Sequence, residues 1–165
     1  MTVQVYLGLG ANIEPECCLR AGVAALRDAF GQSSQVQLSP VYQTQAVGLD
    51  GPDFLNMVVG FSTVMSIADL RAWIKEIETK NGRERSQPQP SCHRLDMDLL
   101  LYGDLISPED NLPHSDVLQR AYVLKPLADI ASALHYPGSQ ETIASCWQES
   151  QLEQVIKPIE MDFSD

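Results

Sequence analysis

Two aspartates separated by one residue are the strongest chemical signal in this sequence. Asp96 and Asp98 lie in an otherwise apolar segment that runs from Leu95 to Tyr102. Alternate side chains of a β-strand point to the same face, so the two carboxylates are expected side by side, with the intervening apolar side chains opposite. Like charges repel there, and partial burial strengthens the repulsion unless something compensates it. A divalent cation would compensate both charges, and Mg²⁺ prefers one or two carboxylates together with phosphate oxygens and water.

Cationic side chains are concentrated just before this strand. Arg83, Arg85 and Arg94 are three of the eleven Lys and Arg residues of the chain, and His93 lies beside the last of them. Cations on a loop next to paired carboxylates predict a phosphate clamp over a metal site. A solvated surface loop is the alternative, and the adjacency of the two features favours the functional interpretation. His114, which follows a proline, could donate to a phosphate oxygen or act in acid–base chemistry.

The composition restricts the classes of protein that could carry such a site. The chain has 165 residues, which favours a single domain, and a formal net charge of −11, which argues against a general nucleic-acid surface. No apolar run approaches the roughly 20 residues of a membrane helix, and residues 1–10 predict a first strand instead of a signal peptide. The four cysteines are expected to be free thiols in a reducing compartment. We therefore expect a cytoplasmic enzyme without a nucleic-acid or membrane partner.

Hydrophobic patterning predicts the elements that must position these residues. Gly8, Gly10 and Asn12 are expected to end the first strand, and Pro40 to interrupt the second. The predicted order is strand, helix, strand, strand, helix, strand, at residues 2–9, 16–30, 36–44, 54–63, 66–81 and 95–102. This order is typical of an α+β, ferredoxin-like βαββαβ core, in which a mostly antiparallel sheet carries its helices on one face.

The segment after this core is predicted to add helical pieces to the same domain. Residues 116–130 are expected to form short helices broken at Pro126, and residues 142–150 to form another helix. The acidic tail after Gln151 is expected to be loosely held. The chain is thus predicted to be one domain over residues 1–165, with a core at about 2–131 and a C-terminal extension at about 132–165.

Short motifs are spread over most of the chain, from about residue 5 to residue 131. They are Tyr6-Leu7-Gly8-Leu9-Gly10-Ala11-Asn12, Tyr42-x-Thr44 with Gly48, Pro52-Asp53-Phe54-Leu55-Asn56, Ile77-Glu78, Gly82-Arg83-x-Arg85, Leu95-Asp96-Met97-Asp98-Leu99-Leu100-Leu101-Tyr102-Gly103, Leu112-Pro113-His114, and Arg120-x-Tyr122-Val123-Leu124-x-Pro126-Leu127. Each motif is modest alone. In this order and spacing they resemble the 6-hydroxymethyl-7,8-dihydropterin pyrophosphokinase family of the folate pathway.

The resemblance implies a reaction and the residues that perform it. The pyrophosphoryl group of ATP would pass to the pterin hydroxymethyl group and release AMP, and two Mg²⁺ ions would be bridged by Asp96 and Asp98. The enzyme is expected to act as a monomer. The residues implied to contact ATP are Glu78, Arg83, Arg85, His114 and Arg120. Those implied to contact the pterin are Thr44, Val47, Phe54, Asn56 and Tyr122. The candidate catalytic residues are Arg83, His93 and Arg94.

The residue types implied for the pterin site fit a flat, polar heterocycle. Phe54 and Tyr122 would stack on its two faces, and Asn56 would pair with its edge. The two aromatic side chains could instead be core residues, which is the commoner role for such side chains.

The loop at 83–94 departs from the family pattern. Family members typically have a basic, tryptophan-containing stretch that ends Gly-Pro-Arg-x-Leu-Asp. Here Gln89 and Pro90 replace the usual arginine and tryptophan, and His93 stands at the position of the final arginine. Arg94 follows one residue later, and a neutral histidine would clamp phosphate less firmly than a guanidinium. We hypothesise that closure of this loop over ATP limits the rate.

Two other functions remain open at this stage. A divergent paralogue could act on another pterin-like alcohol, or bind a pterin without transfer, and the altered loop is the feature that favours it. A non-catalytic ferredoxin-like binding module is the second, but it leaves Asp96, Asp98, Arg83 and His114 without a common purpose. Magnesium-dependent ATP binding would separate that module from an enzyme.

Overall fold

An antiparallel β-sheet forms the centre of the computed structural model, which describes residues 1–31, 35–45, 51–82 and 94–164. Its strands are β1 (Val3–Ala11), β2 (Gln37–Leu38), β3 (Val41–Thr44), β4 (Phe54–Thr63), β5 (Asp96–Tyr102) and β6 (Lys157–Ile159). The order across the sheet is β5-β1-β4-β3-β6, and β2 also pairs with β4. The break between β2 and β3 falls at Pro40, as predicted. The order β5-β1-β4-β3 with antiparallel neighbours is the ferredoxin-like arrangement, so the predicted fold class is confirmed.

The first strand is longer than the sequence predicts, since Gly8 and Gly10 do not end it. It continues to Ala11, because Gly10 pairs with Asn56 of β4 on one side and with Asp96 of β5 on the other. Strand partners on both sides outweigh the backbone entropy that glycine loses in a strand. The consequence for the site is a stretch of β1 that carries no side chain on one face.

Helices α1 (Pro15–Phe30) and α2 (Ile67–Lys80) confirm the two predicted core helices. Their apolar side chains share one buried cluster with Leu9 of β1 and Met97 of β5, so both helices cover the same face of the sheet. Burial of that face is the main contribution to the stability of this half of the domain. Among the described residues, no helix is long and apolar enough to cross a bilayer.

The opposite face is partly covered by α3 (Ala121–Ile130) and α4 (Ile143–Glu149), which form a second core with strand residues. The predicted break at Pro126 is wrong, because α3 runs through this proline. Pro126 is buried, and its packing offsets the one backbone hydrogen bond that its ring removes. The Tyr42 hydroxyl of β3 donates to the Asp129 carboxylate at 2.5 Å and ties α3 to the sheet.

The acidic tail is ordered, contrary to the prediction that it is loosely held. Its strand β6 pairs with β3 and becomes the outer strand of the sheet. Met161 and Phe163 pack against the core under α1. Arg20 donates to the carbonyl of Asp162 at 3.3 Å, and Arg27 donates to the carbonyl of Phe163. Composition alone suggested a solvated tail, but these apolar side chains and backbone contacts hold it in place.

Candidate active site

A cavity of about 230 Å³ lies on the face of the sheet that α1 and α2 leave open, next to the start of α3. Strands β1, β3, β4 and β5 supply its floor, and α3 supplies one wall. The residues that line it include Gly8, Gly10, Thr44, Phe54, Asn56, Asp96, Asp98, Leu100, Asp116 and Tyr122. Six of the sequence-predicted site residues therefore meet in one concave space: Thr44, Phe54, Asn56, Asp96, Asp98 and Tyr122.

Asp96 and Asp98 are partly buried on β5 and both line the cavity, as strand alternation predicts. Met97 between them is 4% exposed and belongs to the core on the other face. Across the ladder, Asp96 pairs with Gly10 and Asp98 with Gly8. Because neither glycine has a side chain, the wall beside the carboxylates is bare backbone, which leaves room for a ligand.

The register of β5 changes just beyond the carboxylates. Leu99 pairs with Leu7, Leu101 pairs with Tyr6, and Leu100 is the extra residue of a bulge. The bulge turns Leu100 and Leu101 together into the core beneath α3. Bulges of this kind end an alternating pattern and re-aim side chains next to functional sites. Here the bulge separates the acidic end of the strand from its apolar end.

Asn56 is a buried polar residue at the floor of the cavity. It is 8% exposed, and its Nδ2 donates to Thr44 Oγ1 of β3 at 3.0 Å. A Cβ atom added to Gly10, which is its partner on β1, would lie 2.8 Å from Asn56 Oδ1. The amide is thus fixed from one side by Thr44 and accommodated on the other by a glycine. A side-chain amide with one defined orientation can pair with both a donor and an acceptor of a ligand.

Phe54 and Tyr122 bring aromatic rings to the same cavity from β4 and α3. Burial raises the pKa of the Tyr122 phenol, and the carboxylate of Asp116 raises it further. The phenol therefore stays protonated and the ring stays neutral. Neutral rings at a cavity wall are suited to stack on a flat heterocycle.

His114 and Arg120 lie on either side of Asp116 in the segment before α3; Asp116 lines the cavity, and neither His114 nor Arg120 does. The backbone N–H of His114 donates to the Leu100 carbonyl at 2.9 Å, which fixes this segment to β5. His114 Nδ1 accepts the backbone N–H of Asp116 at 3.0 Å. The Asp116 carboxylate lies 3.9 Å from Arg120 Nε, and one ligand atom each of Asp98, His114 and Asp116 lies within 4.8 Å of the others. Asp116 was missed in the sequence, although its position two residues after His114 and four before Arg120 could have indicated it.

A wider groove of about 1080 Å³ runs along the other side of the same carboxylates, between α2 and β5. Its lining includes Arg71, Lys75, Glu78, Asp96, Asp98, Asn111 and His114. Asp96 and Asp98 therefore border both concave spaces. Such an arrangement can hold two ligands that meet at one pair of carboxylates.

Glu78 is a buried acid in this groove, and it supports the strand that carries the carboxylates. It is 3% exposed, and its Oε2 accepts the backbone N–H of Met97 at 3.0 Å. Met97 lies on the outer edge of the sheet, where β5 pairs on one side with β1. The carboxylate thus satisfies a strand N–H between Asp96 and Asp98 and helps to fix both aspartates. Its contact with ATP stays a prediction.

Arg94 points away from the cavity in this structure. Its Nη1 donates to Glu14 Oε2 at 2.8 Å, and both side chains are exposed, at 46% and 66%. An exposed ion pair of this kind contributes about 0–1 kcal/mol, so Arg94 can exchange it for another anion at little cost. The other residues that the sequence analysis assigned to this region, Val47, Arg83, Arg85 and His93, lie outside the described residues.

Comparison of the sequence with known proteins finds related chains. A family model described as 7,8-dihydro-6-hydroxymethylpterin-pyrophosphokinase (HPPK) matches residues 6–132. A 2-amino-4-hydroxy-6-hydroxymethyldihydropteridine pyrophosphokinase of Pseudomonas aeruginosa is 35% identical over 156 residues, covering 88% of this chain and 93% of that protein. A protein of the same name from Haemophilus influenzae is 34% identical over 142 residues, covering 84% of this chain and 88% of that protein.

Solved structures show the same fold in a longer protein. The HPPK-DHPS of Plasmodium falciparum with pteroate superimposes with a TM-score of 0.69 over 90% of this chain, at 13% sequence identity. This chain spans 42% of that protein. At this identity the likeness concerns the fold alone.

Proposed function

This chain belongs to the 7,8-dihydro-6-hydroxymethylpterin-pyrophosphokinase family, and we propose that it is a magnesium-dependent member whose Asp96 and Asp98 hold the metal between the two substrates. The enzyme transfers the pyrophosphoryl group of ATP to 6-hydroxymethyl-7,8-dihydropterin in folate biosynthesis. Since the β- and γ-phosphates leave ATP together, the second product is AMP. The observation that carries the proposed role of the aspartates is that both of them border the cavity and the groove.

The cavity at Asn56 is the proposed pterin site. Its floor offers an oriented side-chain amide, and its lining includes two aromatic rings, from Phe54 and Tyr122. A pterin is flat, apolar on its faces and rich in donors and acceptors along one edge. In this site the amide pairs with that edge and the rings stack on the faces. Thr44 acts through Asn56, because its hydroxyl accepts the amide N–H.

Asp96 and Asp98 fit magnesium by their chemistry and position. They offer carboxylate oxygens, which Mg²⁺ prefers, on the same face of one strand and beside bare glycine backbone. Magnesium bound there would neutralise charge on the ATP phosphates and lower the pKa of the pterin hydroxyl. Two ions, as in the family resemblance, would be shared between the pair and the phosphates.

The groove between α2 and β5 is the proposed ATP site. His114 lines it, and its Nδ1 accepts a backbone N–H, so the proton of a neutral imidazole resides on Nε2 and can be donated to a phosphate oxygen. Arg120 adds a guanidinium from the residue that precedes α3. The pterin hydroxyl would then lie in the cavity and the ATP phosphates in the groove. Positioning of these two groups and neutralisation of the phosphate charge account for most of the rate enhancement.

We also propose that the protein acts in the cytoplasm as a monomer. The described cysteines, Cys17, Cys18 and Cys146, are free thiols, which suits a reducing compartment.

Replacing Arg94 with Ala is expected to lower turnover roughly tenfold, with little effect on pterin binding. Arg94 is held by an exposed and weak ion pair with Glu14, so its guanidinium is available to the phosphates when ATP binds. Turnover would be measured at saturating substrates and pterin affinity by fluorescence titration. Glu14→Gln releases the arginine without removing it and should not lower turnover. If Arg94→Ala turns over like the unsubstituted protein, Arg94 has no part in the mechanism.

Magnesium dependence is tested most simply by ATP binding in the absence of pterin, where no transfer can occur. EDTA-treated protein would be titrated with ATP by calorimetry, with and without magnesium. We expect affinity to be at least about tenfold higher with the metal, because the carboxylates repel the bare triphosphate. Equal affinity in both titrations would rule out the metal role proposed for Asp96 and Asp98.

A further inference from the structure

Asp116 brings a third carboxylate to the cavity, and the roles described above leave it unassigned. It lies in a short 3-10 helix, Ser115–Val117, between β5 and α3. Its side chain is 32% exposed and lines the cavity together with Asp96 and Asp98. A bare carboxylate so close to the proposed phosphate position would repel ATP. The contacts of this carboxylate must therefore offset its repulsion of ATP.

The contacts of Asp116 lead to His114 and Arg120, the two side chains that this segment brings to the proposed ATP site. Its backbone N–H donates to His114 Nδ1 at 3.0 Å, and its carboxylate oxygen Oδ2 is 4.0 Å from the same nitrogen. Its backbone carbonyl accepts the N–H of Arg120 at 2.9 Å, and its Oδ1 is 3.9 Å from Arg120 Nε. One residue thus touches both partners through its backbone and lies close to both through its side chain.

These contacts determine how each partner is presented. Because Nδ1 of His114 accepts a hydrogen bond, the neutral imidazole carries its proton on Nε2, on the other side of the ring. Because the Nε edge of Arg120 faces Asp116, the Nη atoms at the other end of the guanidinium can face a ligand. Arg120 is also the residue that begins α3, so its backbone is fixed at the same point.

We propose that Asp116 is a positioning residue whose carboxylate orients Arg120 toward the ATP phosphates. This inference rests on the proposed ATP site. The carboxylate acts through the guanidinium, which neutralises it, and not as a direct ligand of ATP. A direct metal ligand is the competing role, since an oxygen of Asp98 is within 4.8 Å of one of Asp116. The two roles predict different partners for Asp116 in a double-mutant cycle.

The test is the affinity for ATP with saturating magnesium and no pterin, measured by calorimetry on four proteins: unsubstituted, Asp116→Asn, Arg120→Gln and the double variant. Asp116→Asn keeps the size of the side chain and both backbone contacts but removes the charge. We expect it to weaken ATP binding roughly fivefold, and to have almost no further effect when Arg120 is already Gln. Asp116→Glu, which restores the charge, should recover part of the affinity.

Matched controls separate positioning from general damage. Asp104→Asn removes an exposed carboxylate and should leave ATP affinity unchanged. Thermal unfolding of Asp116→Asn should match that of the unsubstituted protein, which would show that the substitution leaves the fold intact. If the effects of Asp116→Asn and Arg120→Gln multiply, or if Asp116→Asn raises the magnesium needed for half-maximal ATP binding, Asp116 does not act through Arg120. The double-mutant cycle measures ATP binding alone. Absence of AMP formation by the unsubstituted protein would therefore contradict the proposed function, whereas the cycle would still decide whether Asp116 acts through Arg120.

Discussion

Replacing Asp98 with Ala is expected to lower pyrophosphoryl transfer by roughly 1,000-fold or more. Asp98 borders both the cavity and the groove, and its carboxylate belongs to the group with His114 and Asp116. Loss of this carboxylate removes a proposed metal ligand at the point where both substrates meet. The rate of AMP formation at saturating ATP, pterin and magnesium would be measured by chromatography.

The same substitution should leave the pterin site intact. Asn56 lies on β4 and Thr44 on β3, whereas Asp98 lies on β5. Strand β1 separates β5 from β4, so Asp98 has no backbone pairing with the strands that carry the amide and its partner. Asp98 lines the cavity but supplies neither its aromatic rings nor its amide, so pterin affinity of Asp98→Ala should fall far less than turnover. Asp104→Ala, which removes an exposed acid, should keep full turnover. Turnover of Asp98→Ala within tenfold of normal would contradict a metal role for this residue.

Replacing Asn56 with Ala is the second change with a large expected effect, a loss of pterin affinity of roughly 100-fold. Asn56 offers an oriented amide at the floor of the cavity, where its Nδ2 donates to Thr44 Oγ1 at 3.0 Å. Without it, the donors and acceptors on the pterin edge lose their partner and stay desolvated. Fluorescence titration with the pterin measures the affinity, and ATP affinity serves as the control because the amide lies away from the groove. Unchanged pterin affinity would mean that the pterin does not bind in this cavity.

Two glycines of β1 offer a matched pair that disturbs the amide without removing it. A Cβ at position 10 would lie 2.8 Å from Asn56 Oδ1, so Gly10→Ala must displace the amide and should weaken pterin binding. A Cβ at position 8 would meet the Leu100 side chain at 3.5 Å, an ordinary contact, and not the amide, so Gly8→Ala adds a methyl group to the same wall without displacing Asn56 and should weaken pterin binding less. Equal effects of the two substitutions would mean that the orientation of Asn56 is not what the site requires.

The core of the fold could be predicted because local pattern and tertiary environment agree there. The carboxylates of β5 were assigned to one face by alternation alone, and Met97 is buried on the other face. The errors arise where tertiary contacts outweigh local preference. Gly10 continues β1 because it has strand partners on both sides, and Pro126 continues α3 because it is buried. The tail is ordered by Phe163 and its neighbours, whose partners lie far away in sequence.

The candidate site was predictable where function shows in residue type, and not where it depends on orientation. Paired aspartates and a resemblance to a known family pointed to Asp96, Asp98 and Asn56. The spacing of Asp116 to His114 and Arg120 is visible in the sequence, but its contacts with these two residues become visible only in three dimensions. The buried position of Glu78, which supports β5 from α2, was likewise hidden, since the sequence does not say which backbone N–H a carboxylate will reach.

The most direct test of the account is to identify the nucleotide product. Purified protein would be mixed with ATP, magnesium and 6-hydroxymethyl-7,8-dihydropterin, and AMP and ADP separated by chromatography. We expect AMP in amounts equal to the pterin diphosphate formed, none without the pterin, and almost none with Asp98→Ala. ADP as the product, or no AMP while the pterin still binds, would contradict pyrophosphoryl transfer and would instead indicate a paralogue that uses this cavity for another reaction.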